Sequence, residues 1–340
     1  MADFSLPLTL GAAVLAAALT YAGMAGAIGW LRERALAKPN QRSSHTVPTP
    51  QGAGIVIVPV ALLIAAGALA FDGNPFPGGV PYLVVVAAAA MVLTVIGFID
   101  DTRGLPVLTR FVSQAVAVAL AVLLMPADLR IFPSLLPLPL ERAALILAVL
   151  WFVNLTNFMD GIDLISAVET VAITVGIAIL AAVGAIPPAY GFVSVALGGA
   201  MIGFGPWNAP PARLFLGDAG SIPVGFLLGV LLIHVAAETA LAAAIILPLY
   251  YLADATVTLG LRLARRERVW EAHRSHFYQQ ATRNGMSVTE TVGRIAMLNA
   301  VLVALAVGAA LHGQVWAVIA GLIAATAVGV TLRRFGRPAN

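Results

Sequence analysis

Residues 81–101 read PYLVVVAAAAMVLTVIGFIDD, nineteen residues without a charge followed at once by Asp100 and Asp101. As an α-helix the uncharged part is about 28 Å long, close to the ~30 Å hydrocarbon thickness of a bilayer. The stretch reads as a membrane span that ends on two carboxylates. The rest of the chain repeats the pattern: 60% of the 340 residues are hydrophobic and only 10% are charged, against roughly 25% charged in a soluble domain. That composition excludes a water-soluble enzyme, a nucleic-acid-binding domain and a disordered scaffold. The chain has no cysteine, which excludes disulfides, thiol nucleophiles and thiolate-bound metals.

Eleven apolar segments have spanning length, at 7–31, 52–71, 81–99, 108–126, 142–158, 164–183, 190–206, 220–236, 240–262, 293–311 and 315–331. The expected fold is an all-α polytopic membrane protein with the N-terminus outside and the C-terminus cytoplasmic. No Lys or Arg precedes the first segment, so it reads as a retained helix and not a signal peptide. The loops 32–51, 100–107, 159–163, 207–219 and 263–292 then share the inner side, as parts of one domain covering 1–340. Of the 19 Lys and Arg residues, all but Arg130 and Arg142 fall on that side or at its helix ends, as the positive-inside rule requires.

The same parity gathers the unusual polar clusters on the inner face. Adjacent carboxylates such as Asp100 and Asp101 are unfavourable at a membrane interface unless a cation offsets them. They read either as two solvated acids or as a magnesium-phosphate or proton-transfer site. Asn154, Asn157, Asp160 and Asp163 recur every three residues. On a continuous helix they would form one slowly rotating polar stripe, unless Gly161 breaks the helix and lets the backbone approach a ligand. Around Asp218 the sequence Leu216-Gly217-Asp218-Ala219-Gly220-Ser221 offers backbone N–H groups to phosphate and a carboxylate to a divalent cation. It lacks the Lys-Ser/Thr pair of a Walker loop. His273, Arg274 and His276 suit a diphosphate better than zinc, because no further ligand lies at a zinc spacing. Gly52 and Gly54 let the second span start close against something. Glu169 and Asp254 should face the bundle interior, and His234 and His312 are given no role.

In this order the clusters resemble the polyprenyl-phosphate N-acetylhexosamine-1-phosphate transferases (glycosyltransferase family 4), which include the phospho-MurNAc-pentapeptide translocase. The matching motifs run from the Arg42-x-x-His45 loop through Asp100-Asp101, Arg110 with Gln114, Asn154-x-x-Asn157-Phe-Met-Asp160-Gly-x-Asp163, Arg213-Leu-Phe-Leu-Gly-Asp218 and Asp254 to His273-Arg-Ser-His276. The closing run is closer to the O-antigen branch than to the translocase. The resemblance implies a cleft facing the cytoplasm of a bacterial inner membrane and a required Mg²⁺, with Mn²⁺ as an alternative. It implies transfer of an N-acetylamino-sugar 1-phosphate from a UDP-sugar to undecaprenyl phosphate, releasing UMP, as the first membrane step of a cell-surface polysaccharide. Carried over by motif, Asp218 is the first metal ligand, with Asp101 at the metal or beside it. Asp100 binds or deprotonates the lipid phosphate, and Asp160 and Asp163 line the cleft with Asn154 and Asn157. Arg42, His45, Arg110, His273, Arg274 and His276 hold substrate. Membrane lipids are expected partners, nucleic acid is not, and the resemblance admits a homodimer. Leu164 and Ala167 depart from the family, standing where many members have Gly. The competing readings are an ion-coupled membrane transporter and a CDP-alcohol phosphatidyltransferase. The first expects acids near mid-bilayer and polar access on both faces, the second aspartates crowded in one segment.

Overall fold

The computed structural model describes residues 5–37, 47–73, 76–268 and 273–338. Arg42 and His45 lie outside the described residues. The elements run α1 (Leu6–Arg34), β1 (Leu36–Ala37), β2 (Thr49–Pro50), α2 (Gly54–Asp72), α3 (Gly79–Arg103), α4 (Val107–Leu123), α5 (Leu138–Met159), α6 (Ile165–Ala182), α7 (Pro188–Asn208), α8 (Asp218–Glu238), α9 (Leu241–Ile246), α10 (Leu249–Ala264), α11 (Phe277–Arg283), α12 (Val288–Leu311) and α13 (Gly313–Phe335). Among the described residues nine helices are long and apolar enough to cross a bilayer, and α4 is a shorter apolar one. The chain is therefore an all-α polytopic membrane protein.

Three of the expected boundaries move. The span expected at 240–262 is two helices, α9 and α10, parted at Leu247 and Pro248. A proline inside a helix removes one backbone donor and crowds the carbonyl four residues back. Asp100 and Asp101 belong to the last turn of α3 and not to a loop. The stripe expected from Asn154 to Asp163 is cut, because α5 ends at Met159 and Asp160 is already non-helical.

Helix α8 is the axis of the bundle. Every residue from Ala219 to Ala236 is buried, so lipid never reaches it, and small residues let its neighbours close on it. A Cβ on Gly54 of α2 would lie 1.9 Å from the Ala219 carbonyl oxygen, and one on Gly97 of α3 would lie 2.4 Å from that of Asp218. Both contacts are impossible for any side chain. Close backbone approach through glycine is how membrane helices gain packing without a hydrophobic drive between them. The glycine expected to start the second span close against something does so, against the first turn of α8.

At the other end of α8, His234 is buried between two tyrosines. The Tyr82 hydroxyl lies 3.0 Å from its Nε2 and the Tyr190 hydroxyl 3.0 Å from its Nδ1. This pins α3, α7 and α8 together and gives a histidine without an expected role a structural one. Glu169 is likewise buried, accepting from the Asn299 amide at 2.7 Å. A short antiparallel ladder, Leu36 with Pro50 and Ala37 with Thr49, closes the base of the 32–51 loop. The Phe215 N–H then donates to the Pro50 carbonyl at 2.8 Å, tying that base to the segment leading into α8.

Candidate functional site

The α3–α8 contact brings the two acidic motifs together. Asp101 accepts from the backbone N–H of Asp218 at 2.9 Å and of Ala219 at 3.0 Å, one to each carboxylate oxygen. It is the N-cap of α8 supplied from another helix, satisfying donors that the first turn leaves open and facing the positive end of the helix dipole. Gly217 makes room for it: its φ is +70°, and a Cβ there would lie 2.4 Å from the Asp101 Oδ2. The sequence reading put Asp101 at the metal or beside it; its oxygens are aimed into the helix end, next to Asp218.

Its neighbour turns about 100° away along the helix. Asp100 Oδ2 accepts from Arg110 Nη1 at 2.8 Å, and Asp218 Oδ2 accepts from the same nitrogen at 3.1 Å. Two carboxylates 118 positions apart thus converge on one point of positive charge. Asn157 fixes the far side of Asp218, donating to Oδ1 at 2.8 Å and lying 2.8 Å from the Ser221 hydroxyl. Sequence reading assigned Arg110 to substrate; that it bridges the two acids follows from helix packing alone.

A divalent cation fits these residues. Asp100 and Asp218 are two acids against the single Arg110, and the donors they offer are hard oxygens. Among the described residues no three His, Asp or Glu side chains converge to cage a metal. Magnesium suits that situation, since it is commonly held by one or two carboxylates and completes its shell with water and substrate phosphate.

The remaining residues form a second group. The Ser166 hydroxyl donates to Asp160 at 2.7 Å, and burial pushes the Asp160 carboxyl up to about 7. Asp163 is buried and its Oδ2 accepts from the Ala212 N–H at 3.0 Å, so it ties the 160–163 turn to the loop before α8. Asn154 donates to its own helix at Leu150. Leu164, where the resemblance expects Gly, adopts φ +66°, a region that costs a branched side chain roughly 1–2 kcal/mol. The departure from the family is thus a strained one.

The His273–His276 segment hangs on Asp254. This fully buried carboxylate accepts from the N–H of Phe277 at 2.9 Å and of Tyr278 at 3.1 Å, with His276 Nδ1 at 3.2 Å. His276 is itself buried, which makes it an anchor and not the substrate contact expected of it. His273 stacks on His276, with ring centroids 4.8 Å apart. Burial and the neighbouring His276 bring His273 down to about 4, so its imidazole is neutral near pH 7. Its Nδ1 accepts from the Ser275 N–H at 3.3 Å, which leaves Nε2–H as the outward donor. The Tyr278 hydroxyl donates to the Phe158 carbonyl at 3.2 Å and sits where a Cβ on Gly161 would fall, 2.1 Å away. Gly161 is therefore closed over by a tyrosine and not by a ligand. Asp254→Ala is expected to remove this anchor at a cost of about 3 kcal/mol, lowering the detergent melting temperature and opening residues 273–276 to limited proteolysis. An unchanged melt and digestion pattern would contradict the anchoring.

Between α4, α5 and α10 lies an apolar groove of about 360 Å³ lined by Phe111, Leu147, Trp151, Asn154, Phe158 and Leu259. Phe111 follows Arg110 directly, and the exposed Leu147 marks the side open to lipid.

The family model described as glycosyl transferase family 4 matches residues 83–236, from α3 to α8. A decaprenyl-phosphate N-acetylglucosaminephosphotransferase of Mycolicibacterium smegmatis is 33% identical over 257 residues, covering 64% of this chain and 60% of that protein. A phospho-N-acetylmuramoyl-pentapeptide-transferase of Synechocystis sp. is 33% identical over 193 residues, covering 52% of this chain and 50% of that protein. The chain thus spans about three fifths or less of the length of these curated relatives. The match covers the helices that carry Asp100, Arg110, Asn157 and Asp218, in a bundle built to cross a bilayer, and over residues 83–236 the chain is similar to glycosyl transferase family 4.

Proposed function

We infer that the protein transfers an N-acetylamino-sugar 1-phosphate from a UDP-sugar to undecaprenyl phosphate, at the cytoplasmic face of a bacterial inner membrane and at the start of a surface-polysaccharide pathway. The observation that carries this reading is the convergence of Asp100 and Asp218 on Arg110 beside an apolar groove open to lipid. A phosphate on a long isoprenoid and a soluble nucleotide sugar can meet only where a polar pocket adjoins hydrocarbon. The names of the relatives, a polyprenyl-phosphate N-acetylglucosaminephosphotransferase and a phospho-N-acetylmuramoyl-pentapeptide transferase, support the same chemistry.

In this scheme an oxygen of the lipid phosphate attacks the β-phosphorus of the donor. The bond from that phosphorus to the bridging oxygen breaks, UMP leaves, and the anomeric bond of the sugar stays intact. Asp218 and Asp100 would hold Mg²⁺. The bound ion would neutralise diphosphate charge, which is most of what phosphoryl transfer asks of a protein besides positioning. Arg110 offers its further N–H groups to phosphate, Asn157 holds Asp218 in place, and Asp160 with His273 Nε2–H faces the nucleotide sugar. Asp101 acts through Asp218 by capping its helix. The acids gather at one end of the bundle, which does not favour an ion-coupled transporter.

Purified protein given Mg²⁺, undecaprenyl phosphate and a panel of UDP-N-acetylamino sugars should release UMP with at least one donor. No UMP from any of them would overturn the assignment. Asp160 supplies a second check. Its carboxyl titrates near 7 when folded and near 4 when unfolded, so the native state binds the extra proton between those values. Its contribution is present below about pH 4 and is lost as pH rises toward 7. Asp160→Asn should therefore narrow the difference between melts taken at about pH 5 and about pH 8; an identical difference in both proteins would contradict the burial of that carboxyl.

A further inference from the structure

Helices α12 and α13 form a hairpin, joined at His312, that splays at its other end. Between the two helices there lies a groove of about 940 Å³. Leu298 and Phe335 are buried at its floor, and Met297, Val301 and Val330 are exposed along its walls. Gly293 borders it, with nothing within 4 Å of where its Cβ would stand. The mouth carries Arg294 and Arg334. Glu290 pairs with Arg294 at 2.9 Å, while the exposed Arg334 has no carboxylate partner among the described residues. The groove is thus apolar in its depth and cationic at its rim. Arg294 stands about 9 Å along its helix, within reach of the headgroup layer once its stem extends along the apolar wall.

We propose that this groove is a specific site for an anionic phospholipid of the surrounding leaflet, distinct from the polyprenyl substrate groove between α4, α5 and α10. The acyl chains lie on Met297, Val301 and Val330, and the phosphate sits between the Arg294 and Arg334 guanidiniums. A molecule with an anionic head and an apolar tail matches both halves of the groove, and a zwitterionic lipid matches only the lower half. A second copy of the chain would bring two arginine rims together, a like-charge contact that the lipid avoids. The proposal stands on α12 and α13 alone and does not depend on the reaction assigned above.

The test is native mass spectrometry of the whole protein released from micelles containing phosphatidylglycerol or phosphatidylcholine. Wild type should retain phosphatidylglycerol in preference. At ~1 kcal/mol per basic residue near a lipid surface, Arg294→Gln or Arg334→Gln should each weaken retention about 5-fold, and the double variant about 30-fold. Gly293→Leu fills open space without touching a charge and should also reduce retention. The control is Arg333→Gln with Arg337→Gln, which removes the same charge from the same helix end outside the groove and should leave retention within about 2-fold. Equal losses in both double variants would show diffuse attraction and overturn the site, as would equal retention of the two lipids. A mass shift from dimer to monomer in Gly293→Leu, with lipid retention unchanged, would assign the groove to a second copy and overturn it as well. Helical circular dichroism and gel filtration confirm that each variant is folded; the exposed Glu290–Arg294 pair is worth little to stability.

Discussion

Asp218→Asn is expected to reduce UMP release by about 10²–10³-fold at any Mg²⁺ concentration while leaving the protein as stable as wild type or slightly more so. Removing one positioned electrostatic group from a phosphoryl- or acyl-transfer site costs roughly that factor. The stability half of the prediction comes from the cluster itself. Asp100 and Asp218 share one guanidinium and Asp101 caps the same helix end, so neutralising one acid relieves repulsion. Asparagine keeps the shape and one oxygen to accept from the Asn157 amide. UMP release and thermal melts on the same preparation separate the two effects, and full turnover would sink the metal assignment. Asp101→Asn should behave differently. Both Asp101 oxygens accept backbone N–H groups of α8, so an amide there sets a donor against a donor. Capping losses run near 1–2 kcal/mol, and that variant should lose activity and stability together.

Gly54→Ala should carry the largest structural penalty. The new methyl would have to displace the first turn of α8 by more than an ångström, since its target is the Ala219 carbonyl 1.9 Å away and backbone cannot rotate aside. We expect at least ~3 kcal/mol of destabilisation, read as a lower detergent melting temperature and loss of monodisperse protein. The matched control lies in the same helix: Gly67 has nothing within 4 Å of its Cβ position. Gly67→Ala should be neutral or mildly stabilising, because alanine is worth up to ~1 kcal/mol over glycine in a helix. If the two variants melt alike, the close approach of α2 to α8 is wrong.

Much of this was legible in the sequence because the bilayer imposes a length on every span and a sign on its flanks. Helix α3 could be read directly from its uncharged run, and the family from the order of its motifs. What escaped was whatever depends on a partner distant in the chain. Gly97 stands one turn before Asp100, but that it abuts Asp218 is a fact of packing. Asp100 and Asp101 are equivalent in composition and motif, and only the direction of α8 assigns one to the cap and the other to Arg110. Asp163 and His276 have the residue types of ligands, yet one oxygen of the first holds the Ala212 N–H and one ring nitrogen of the second faces Asp254. Pro248 was visible inside the predicted ninth span, but the apolar run on either side concealed the break. The rim of Arg294 and Arg334 was hidden for the opposite reason: forty positions part the two arginines, and only the hairpin brings them level.

The burial of α8 on all sides also bears on how the chain comes to be assembled. Helices α2, α3 and α5, which pack around it together with the later α9, are synthesised before it. No lipid touches that helix along Ala219–Ala236 in the finished protein, and Asp218 stands at its N-terminal end. Asp101 precedes that acid by 117 positions and is synthesised before it. The cap that orients Asp218 in the mature protein is thus supplied by an earlier helix, and a chain without α3 would leave the α8 terminus without it.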